Sequence, residues 1–376
     1  MHNDIEIVPL TLEPRDVKRF LNLSYSIYGD DPNWVAPLLS DLRKVFTSRN
    51  PLFEHAAMQL WIARRDGRDV GRIAGIHDRH HKEVAKEDGI FFGFFECTHD
   101  RHVCDALFGA VTDWARKRGG VKLLGPMNPT SNDECGLLVD GFDSPPVFMM
   151  TYNPRYYVEL VEGAGFAKAK DLLAFMIPLE GIPMDRLVRI ADKVRARAGV
   201  TLRAVTKKSL DTDVVKIKEI YNAAWQDNWG FVPMTDPEVD FMAERLKPLL
   251  MEGLVWLAEK DSDAVGFLLA IPDYNVAIQP LKGRLLTPKL FGFIPYLLGW
   301  KYPPRTRVIT LGVRDGYRSK GLESAMLVEG LKAGIGVGVT ESEASWILED
   351  NVMMCRIIES IGGKVYKTYR IYEKSI

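Results

Sequence analysis

One order of apolar segments occurs twice along this chain, and it narrows the fold more than any other feature. In the first half a short strand at 5–10 precedes an amphipathic helix opened at Glu13-Pro14, with Val17, Phe20, Leu21 and Tyr25 on its apolar side. Strands at 58–64 and 70–76 meet at Asp66-Gly67, the dipeptide of a tight hairpin. An aromatic strand at 89–97 leads to a helix at 101–118, ended by Gly119-Gly120, then to a strand at 121–125. A helix at 153–162 and a strand at 171–177 complete the series. After a linking helix at 184–198 the order returns. It runs strand 202–205, helices 211–225 and 237–250, strands 254–259, 264–271 and 308–313, helix 323–334, strand 338–346, helix 350–360 and strand 364–372. The halves share little residue identity, so the repeat is one of structure. The expected class is α/β (α+β): tandem domains at 1–180 and 181–376, each a mixed, mostly antiparallel central sheet flanked by helices.

Composition removes several alternatives. The chain has 376 residues, room for two ordinary domains, and 47% are hydrophobic. A net charge of −1 argues against a general nucleic-acid binder. Cys97, Cys104, Cys135 and Cys355 form no Cys-x-x-Cys pair, which predicts a reducing compartment and neither zinc nor disulfides. Met1-His-Asn-Asp-Ile-Glu6 has no signal-peptide pattern, and no apolar run is long enough to span a bilayer. The expected location is cytoplasmic. His77, His80 and His81 fit no standard metal spacing and read as surface or loop histidines, so no metal is expected.

The second half carries the distinctive chemistry. Val308-Ile-Thr-Leu-Gly-Val313 reads as a strand, Arg314 to Leu322 as a basic, glycine-containing turn, and the segment from Glu323 as a helix. Such a turn points the first free N–H groups of the helix, and the positive end of its dipole, at an anion. Arg318 and Lys320 add charge, and Gly321 lets the backbone approach a phosphate. Glu323 is the discordant residue, since an acid beside a pyrophosphate repels it. The matching place in the first half, Glu96-Cys-Thr-His-Asp-Arg101, is acidic and lacks glycine. One cofactor site is therefore expected, in the second half.

Residues 272–307 form an insertion where a compact fold uses a short turn. No Asp or Glu occurs from Tyr274 to Arg314, whereas Lys282, Arg284, Lys289, Lys301, Arg305 and Arg307 do. With the apolar run 288–300, this suits a segment lying on an anionic bilayer at 286–301, the mouth of an acyl-chain pocket, or a helix packed on the body or at a dimer interface.

Alternation along Glu341-Ser-Glu-Ala-Ser345 puts Glu341, Glu343 and Ser345 on one face. Glu343 is the first candidate for a general base; a solvated face, or pairing with Arg or Lys, is the other reading. Two loops rich in Asn and Gly read as pocket walls, one with Asn128 and Asn132, the other with Trp225, Asn228 and Trp229.

Arg318-Ser-Lys-Gly-Leu-Glu323 resembles the pyrophosphate turn of the GNAT acyltransferase superfamily, and the repeated element order is that superfamily's order. Over its whole length the chain resembles a two-domain group that includes bacterial ceramide synthases. The resemblance rests on Phe91-Phe-Gly-Phe-Phe-Glu-Cys97, Gly125-Pro126 with Asn128, Gly136-Leu-Leu-Val-Asp-Gly141, Tyr152-Asn-Pro154 with Tyr156-Tyr157, Asn228-Trp-Gly-Phe-Val-Pro233, Glu343-Ala-Ser-Trp-Ile-Leu-Glu-Asp-Asn351 and Lys367-Thr-Tyr-Arg-Ile-Tyr-Glu-Lys374. It implies acyl-CoA as co-substrate, with acetyl-CoA and long-chain acyl-CoA both open, and N-acylation of a small or lipidic amine such as a sphingoid base. Leu311, Val313, Arg318, Ser319, Lys320, Gly321, Leu322 and Ser324 are the expected cofactor contacts, and Trp346 joins the substrate wall. Many family members use a Tyr about seven residues after a helix-opening Asn as the acid for the thiolate. Here Asn351 is present, but the Tyr position is Ile358. Either that acid is missing or Tyr366, Tyr369 or Tyr372 on the last strand takes its place, with Tyr369 preferred. A short-chain acetyltransferase and a non-catalytic acyl-CoA-binding protein are the alternatives, and a homo-oligomer is left open.

Overall fold

The computed structural model describes residues 5–376 apart from Asp30, Glu87, Asp227 and Ser319. The chain divides into two compact units. The first comprises Met1–Leu172, Leu281–Thr287 and Lys367–Ile376, and the second comprises Leu173–Pro280 and Pro288–Tyr366. The sequence places a boundary at 180/181 and gives the whole C-terminal strand to the second half. The division falls at Leu172/Leu173 instead, and Lys367–Ile376 goes to the first unit.

In the first unit Glu6–Leu10, Ala56–Arg65, Arg68–Asp78 and Gly89–Cys97 lie antiparallel in that order. The hairpin turns at Asp66 and Gly67 with φ of 50° and 74°, both left-handed as a two-residue type I′ turn needs. All nine residues of Gly89–Cys97 are buried, Glu96 among them, so this strand is buried on both faces rather than alternating. Lys122–Gly125 joins it in parallel, and the C-terminal strand pairs antiparallel with Lys122–Gly125, Tyr372 opposite Gly125 and Ser375 opposite Lys122. Helix Arg101–Arg116 buries Val103, Cys104, Leu107, Phe108, Val111, Trp114 and Ala115, a stripe at helical spacing. The stripe packs on Trp61, Phe92, Phe95, Tyr157 and Phe166. Each large side chain buried there contributes about 1.5–3 kcal/mol.

In the second unit Thr201–Ala204, Val255–Lys260, Asp263–Pro272 and Arg305–Val313 follow one another antiparallel, and Glu341–Leu348 runs parallel to Arg305–Val313. Helix Leu322–Gly336 is buried on two sides. Leu322, Met326 and Leu327 meet Leu268 and Val313 of the sheet, while Ala325 and Val328 meet Ala191 of helix Met184–Ala198. The helix expected at 237–250 ends at Leu246 and continues as a 3₁₀ turn, Lys247–Leu249, because Pro248 cannot supply the next helical N–H. The one expected at 153–162 begins at Tyr156, past Pro154. The insertion holds two short helices, Asn275–Ile278 and Leu290–Leu297.

Both units carry the same irregularity. In the first, Arg72 pairs Glu96 and Ala74 pairs Gly93, so Phe94 and Phe95 together oppose one residue. In the second, Leu269 pairs Thr310 and Ala270 pairs Val308, which leaves Ile309 as the extra residue. Each bulge sits on the strand that feeds the helix, and a bulge increases local twist and turns the strand away from its neighbour.

Candidate active site

The second unit opens a wedge where its parallel ladder stops. The register runs from Arg305 opposite Glu341 to Val308 opposite Ala344, while the strands continue to Val313 and Leu348. Arg314 donates its N–H to Val265 O at 2.8 Å, on the side away from the wedge. Strand alternation then turns the backbone amides of Val313 and Leu311 towards it. Past Val313, Gly321 takes φ +83° and caps helix Leu322–Gly336. Among the described residues no side chain caps this helix, so its first N–H groups are presented to the mouth of the wedge.

The other turn residues divide by role. Leu322 is fully buried, leaving its backbone as the available group, and Ser324 is half-buried in the first helical turn. Arg318 donates to Ala224 O at 2.6 Å and to Val313 O at 3.5 Å and pairs with Asp315 at 3.0 Å, tying the turn to helix Leu210–Trp225. Lys320 donates to Gly316 O at 2.6 Å and lies 5.2 Å over the Tyr317 ring. Both cations therefore hold the turn together as well as charging it. Ser319 lies outside the described residues. Burial raises the Glu323 carboxyl above the usual glutamate range, against a smaller pull from its own backbone N–H and Arg318, which lessens its repulsion of a phosphate.

The acidic strand is explained by its parallel neighbour. Arg305 bonds Glu341 at 3.1 and 3.0 Å, and Arg307, one pleat on, faces Glu343 at 3.7 Å. Glu343 is 0% exposed and Arg307 2%. The carboxylate accepts from Ser345 Oγ at 2.6 Å and from the Tyr366 hydroxyl, and Arg307 Nε donates to Ser345 Oγ at 3.1 Å. The guanidinium lies 5.0 Å from the Trp346 ring. Ser345 is the first residue beyond the end of the ladder, so this network starts at the apex of the wedge. A buried carboxylate contacted by two hydroxyls can pass or receive a proton through either.

The remaining candidates scatter. Asn351 caps helix Val352–Ser360, accepting from Met354 N at 3.2 Å, and Ile358 is buried in an apolar cluster. Tyr369 is fully buried and pairs with Leu138 in the first unit, whereas Tyr366 is the tyrosine on Glu343. Trp225 packs on Tyr221 at 4.8 Å and on the strand at Gly312, where a Cβ would stand 2.5 Å from its ring. Asn228 is exposed and Trp229 partly so on the following loop.

The first unit treats the equivalent place differently. Its parallel register ends at Phe91 opposite Leu124. Asn128 Oδ1 accepts from Phe94 N at the bulge at 2.6 Å, and a Cβ on Gly93 would lie 1.7 Å from Met127 O. The chain itself thus fills the opening. Asn132 sits in a turn on Thr130 Oγ1 at 3.2 Å. The following helix is capped by Asp100, which accepts from His102 N at 2.9 Å and Val103 N at 3.3 Å and is paired by Arg65. Beneath lies a buried cluster invisible to local pattern: Glu96 accepts from Tyr157 at 2.7 Å, Ser24 at 3.3 Å and Arg72 at 3.4 Å. Burial pushes the Glu96 carboxyl up, with Arg72 and the hydroxyl donors pulling it back. The sequence signal for both clusters is an arginine inside an apolar strand. His81, read as a surface or loop residue, is buried in helix Arg79–Ala85, 4.6 Å from the Phe91 ring. Among the described residues no group of three or more His, Cys, Asp or Glu is placed to hold a metal.

No family model matches the chain. It is 38% identical to the bacterial ceramide synthase of Caulobacter vibrioides, over 99% of this chain and 98% of that protein. It is 36% identical to protein YghO of Escherichia coli, over 98% and 95%. Among solved structures, a tandem GNAT protein from the clavulanic acid biosynthesis pathway superposes with a TM-score of 0.59 at 14% identity, covering 99% of this chain and 98% of that one. The full-length relative fixes the family and the superposition fixes the fold: the chain belongs to the two-domain GNAT acyltransferase group that includes the bacterial ceramide synthase.

Proposed function

We propose that this N-acyltransferase moves a long-chain acyl group from coenzyme A to a lipidic amine such as a sphingoid base, on the cytoplasmic face of a membrane, and that its second unit alone binds the acyl-CoA. The observation that carries this is the glycine-led helix N-terminus, without a side-chain cap among the described residues, at the mouth of a wedge whose apex holds a buried carboxylate. The ceramide synthase relative supports the choice of amine, since a ceramide is the amide of a sphingoid base.

In this reading the amides of Gly321, Leu322 and Ser324, with Arg318 and Lys320 around them, hold the pyrophosphate, and those of Leu311 and Val313 hold the pantetheine arm. Acyl-CoA supplies the thioester. Glu343 takes the proton released by the amine, relayed by Ser345, and Arg307 neutralises the carboxylate before the amine arrives. Tyr366 takes the place proposed for Tyr369 as the group that returns a proton to the departing thiolate. Trp225, Asn228, Trp229 and Trp346 line the substrate side, Asn351 orders the helix after the acidic strand, and Asn132 is the outlying substrate candidate of the first unit.

The test is to incubate the protein with acyl-CoAs of graded chain length and a sphingoid base and to follow thiol release. Release with long chains only is the expected result. Release with acetyl-CoA and small amines would make it a short-chain acetyltransferase, and no release with coenzyme A still bound would make it a binding protein.

A further inference from the structure

The insertion, read from sequence in three ways, has a surface in the structure that separates them. Helix Leu290–Leu297 buries Phe293 and Tyr296 on one side. At about 100° per residue, Phe291 and Leu298 project from the opposite side, within about 20° of each other. Phe291 is 77% exposed, Leu298 54% and Trp300 77%. The chain after the helix folds back, Trp300 N and Lys301 N both donating to Pro295 O, at 2.9 and 3.2 Å. The helix end is thus satisfied internally, as backbone near lipid must be. Lys289 and Lys301 flank the apolar residues and are exposed, and no acid occurs from Tyr274 to Arg314.

We infer that segment 288–302 docks the protein on an anionic lipid bilayer, with Phe291, Leu298 and Trp300 entering the headgroup–acyl boundary and Lys289 and Lys301 meeting lipid phosphates. Exposed aromatic and aliphatic side chains beside lysines, in a segment without acids, match that surface in both polarity and charge. A second copy of this face is disfavoured by the same charges, because an isologous contact would set lysines against lysines with no acid to pair them. The eight-residue helix spans about 12 Å, so it lies in the interface and does not cross. Docking explains how a lipidic amine would reach the site and depends on the proposed function for that purpose only. Vesicle binding is measured without acyl transfer, so either claim can fail while the other stands.

The experiment sediments the full chain with vesicles of phosphatidylcholine alone and with added phosphatidylglycerol, at low and high salt. Binding to the anionic vesicles, weakened by salt, is expected. The pair Phe291→Ser/Trp300→Ser should lower it by at least about ten-fold, and Lys289→Glu/Lys301→Glu by about ten-fold on anionic vesicles alone. Val215→Ser, an exposed apolar control, should change nothing. If the aromatic pair does not fold, the lysine pair still decides. Failure to bind anionic vesicles would overturn the inference, as would equal binding by wild type and both variants. A dimer on size exclusion, dissolved by the aromatic pair and without vesicle binding, would overturn it in favour of self-association.

Discussion

The two parallel-strand wedges of this protein start from one plan and end in opposite states. Each has a bulged strand, a parallel neighbour that parts from it, and a helix beginning where the bulged strand ends. In the first unit Met127 and Asn128 fill the gap, and Asp100 gives the helix its own anion. In the second, Gly321 leaves the helix N-terminus without a side-chain cap among the described residues, and the apex holds the Arg307–Glu343–Tyr366 network. In the proposed reading, the difference teaches that few residues decide which of the two wedges is open to an anion. A carboxylate at an N-cap occupies the anion site, and a glycine there vacates it.

The largest effect should come from closing the open site. Gly321→Val forces a β-branched residue to φ +83° and brings a Cβ to 3.2 Å from Val194. Coenzyme A affinity, by titration calorimetry, should fall by more than about 100-fold, given that the turn's geometry sets the phosphate contacts. The mirror change, Asp100→Gly, should yield no coenzyme A site in the first unit, since the gap stays filled, and loss of the cap should cost only about a few tenths of a kcal/mol in denaturant titration.

Next come the two buried carboxylates. Glu343→Gln should lower kcat by about 10²- to 10⁴-fold while coenzyme A still binds, and Tyr366→Phe should lower it less. Glu96→Gln strands the buried Arg72 charge, so it should cost about 3 kcal/mol of stability yet leave turnover per folded molecule unchanged. A loss of turnover with Glu96→Gln at intact stability would break the comparison.

Smaller again is Glu323→Gln. Its raised carboxyl is neutral at low pH and gains charge as pH rises through a value above the usual glutamate range. Coenzyme A affinity should therefore decline over that rise in wild type and stay flat in the variant, which binds a few-fold tighter at neutral pH. The smallest concerns Glu259, whose carboxyl Arg203 holds down to about 2, with Lys216 helping. A depressed acid contributes stability above its unfolded pKa and loses it as pH falls towards about 2. Glu259→Gln should cost ~1 kcal/mol at neutral pH, screened because Arg203 is part-exposed, and the gap to wild type should shrink in acid.

Much of this plan is legible in the sequence because it is local. Asp66-Gly67 sets a hairpin, Gly321 the turn that leads into the second unit's helix, and apolar periodicity the helix Arg101–Arg116. Register is what hides the rest. Glu343 and Arg307 are far apart in sequence and meet only because Val308 pairs with Ala344. Alternation named Glu343, but choosing Tyr366 over Tyr369 required knowing that the last strand changes unit between Tyr366 and Lys367. The basic insertion was visible as composition, whereas the outward face of Phe291 and Trp300 was not.

The most direct measurement is the stoichiometry of coenzyme A on the intact chain, wild type against Gly321→Val. One site per chain, lost in the variant, is expected. Two sites per chain, or one that survives Gly321→Val, would contradict a single working wedge in the second unit.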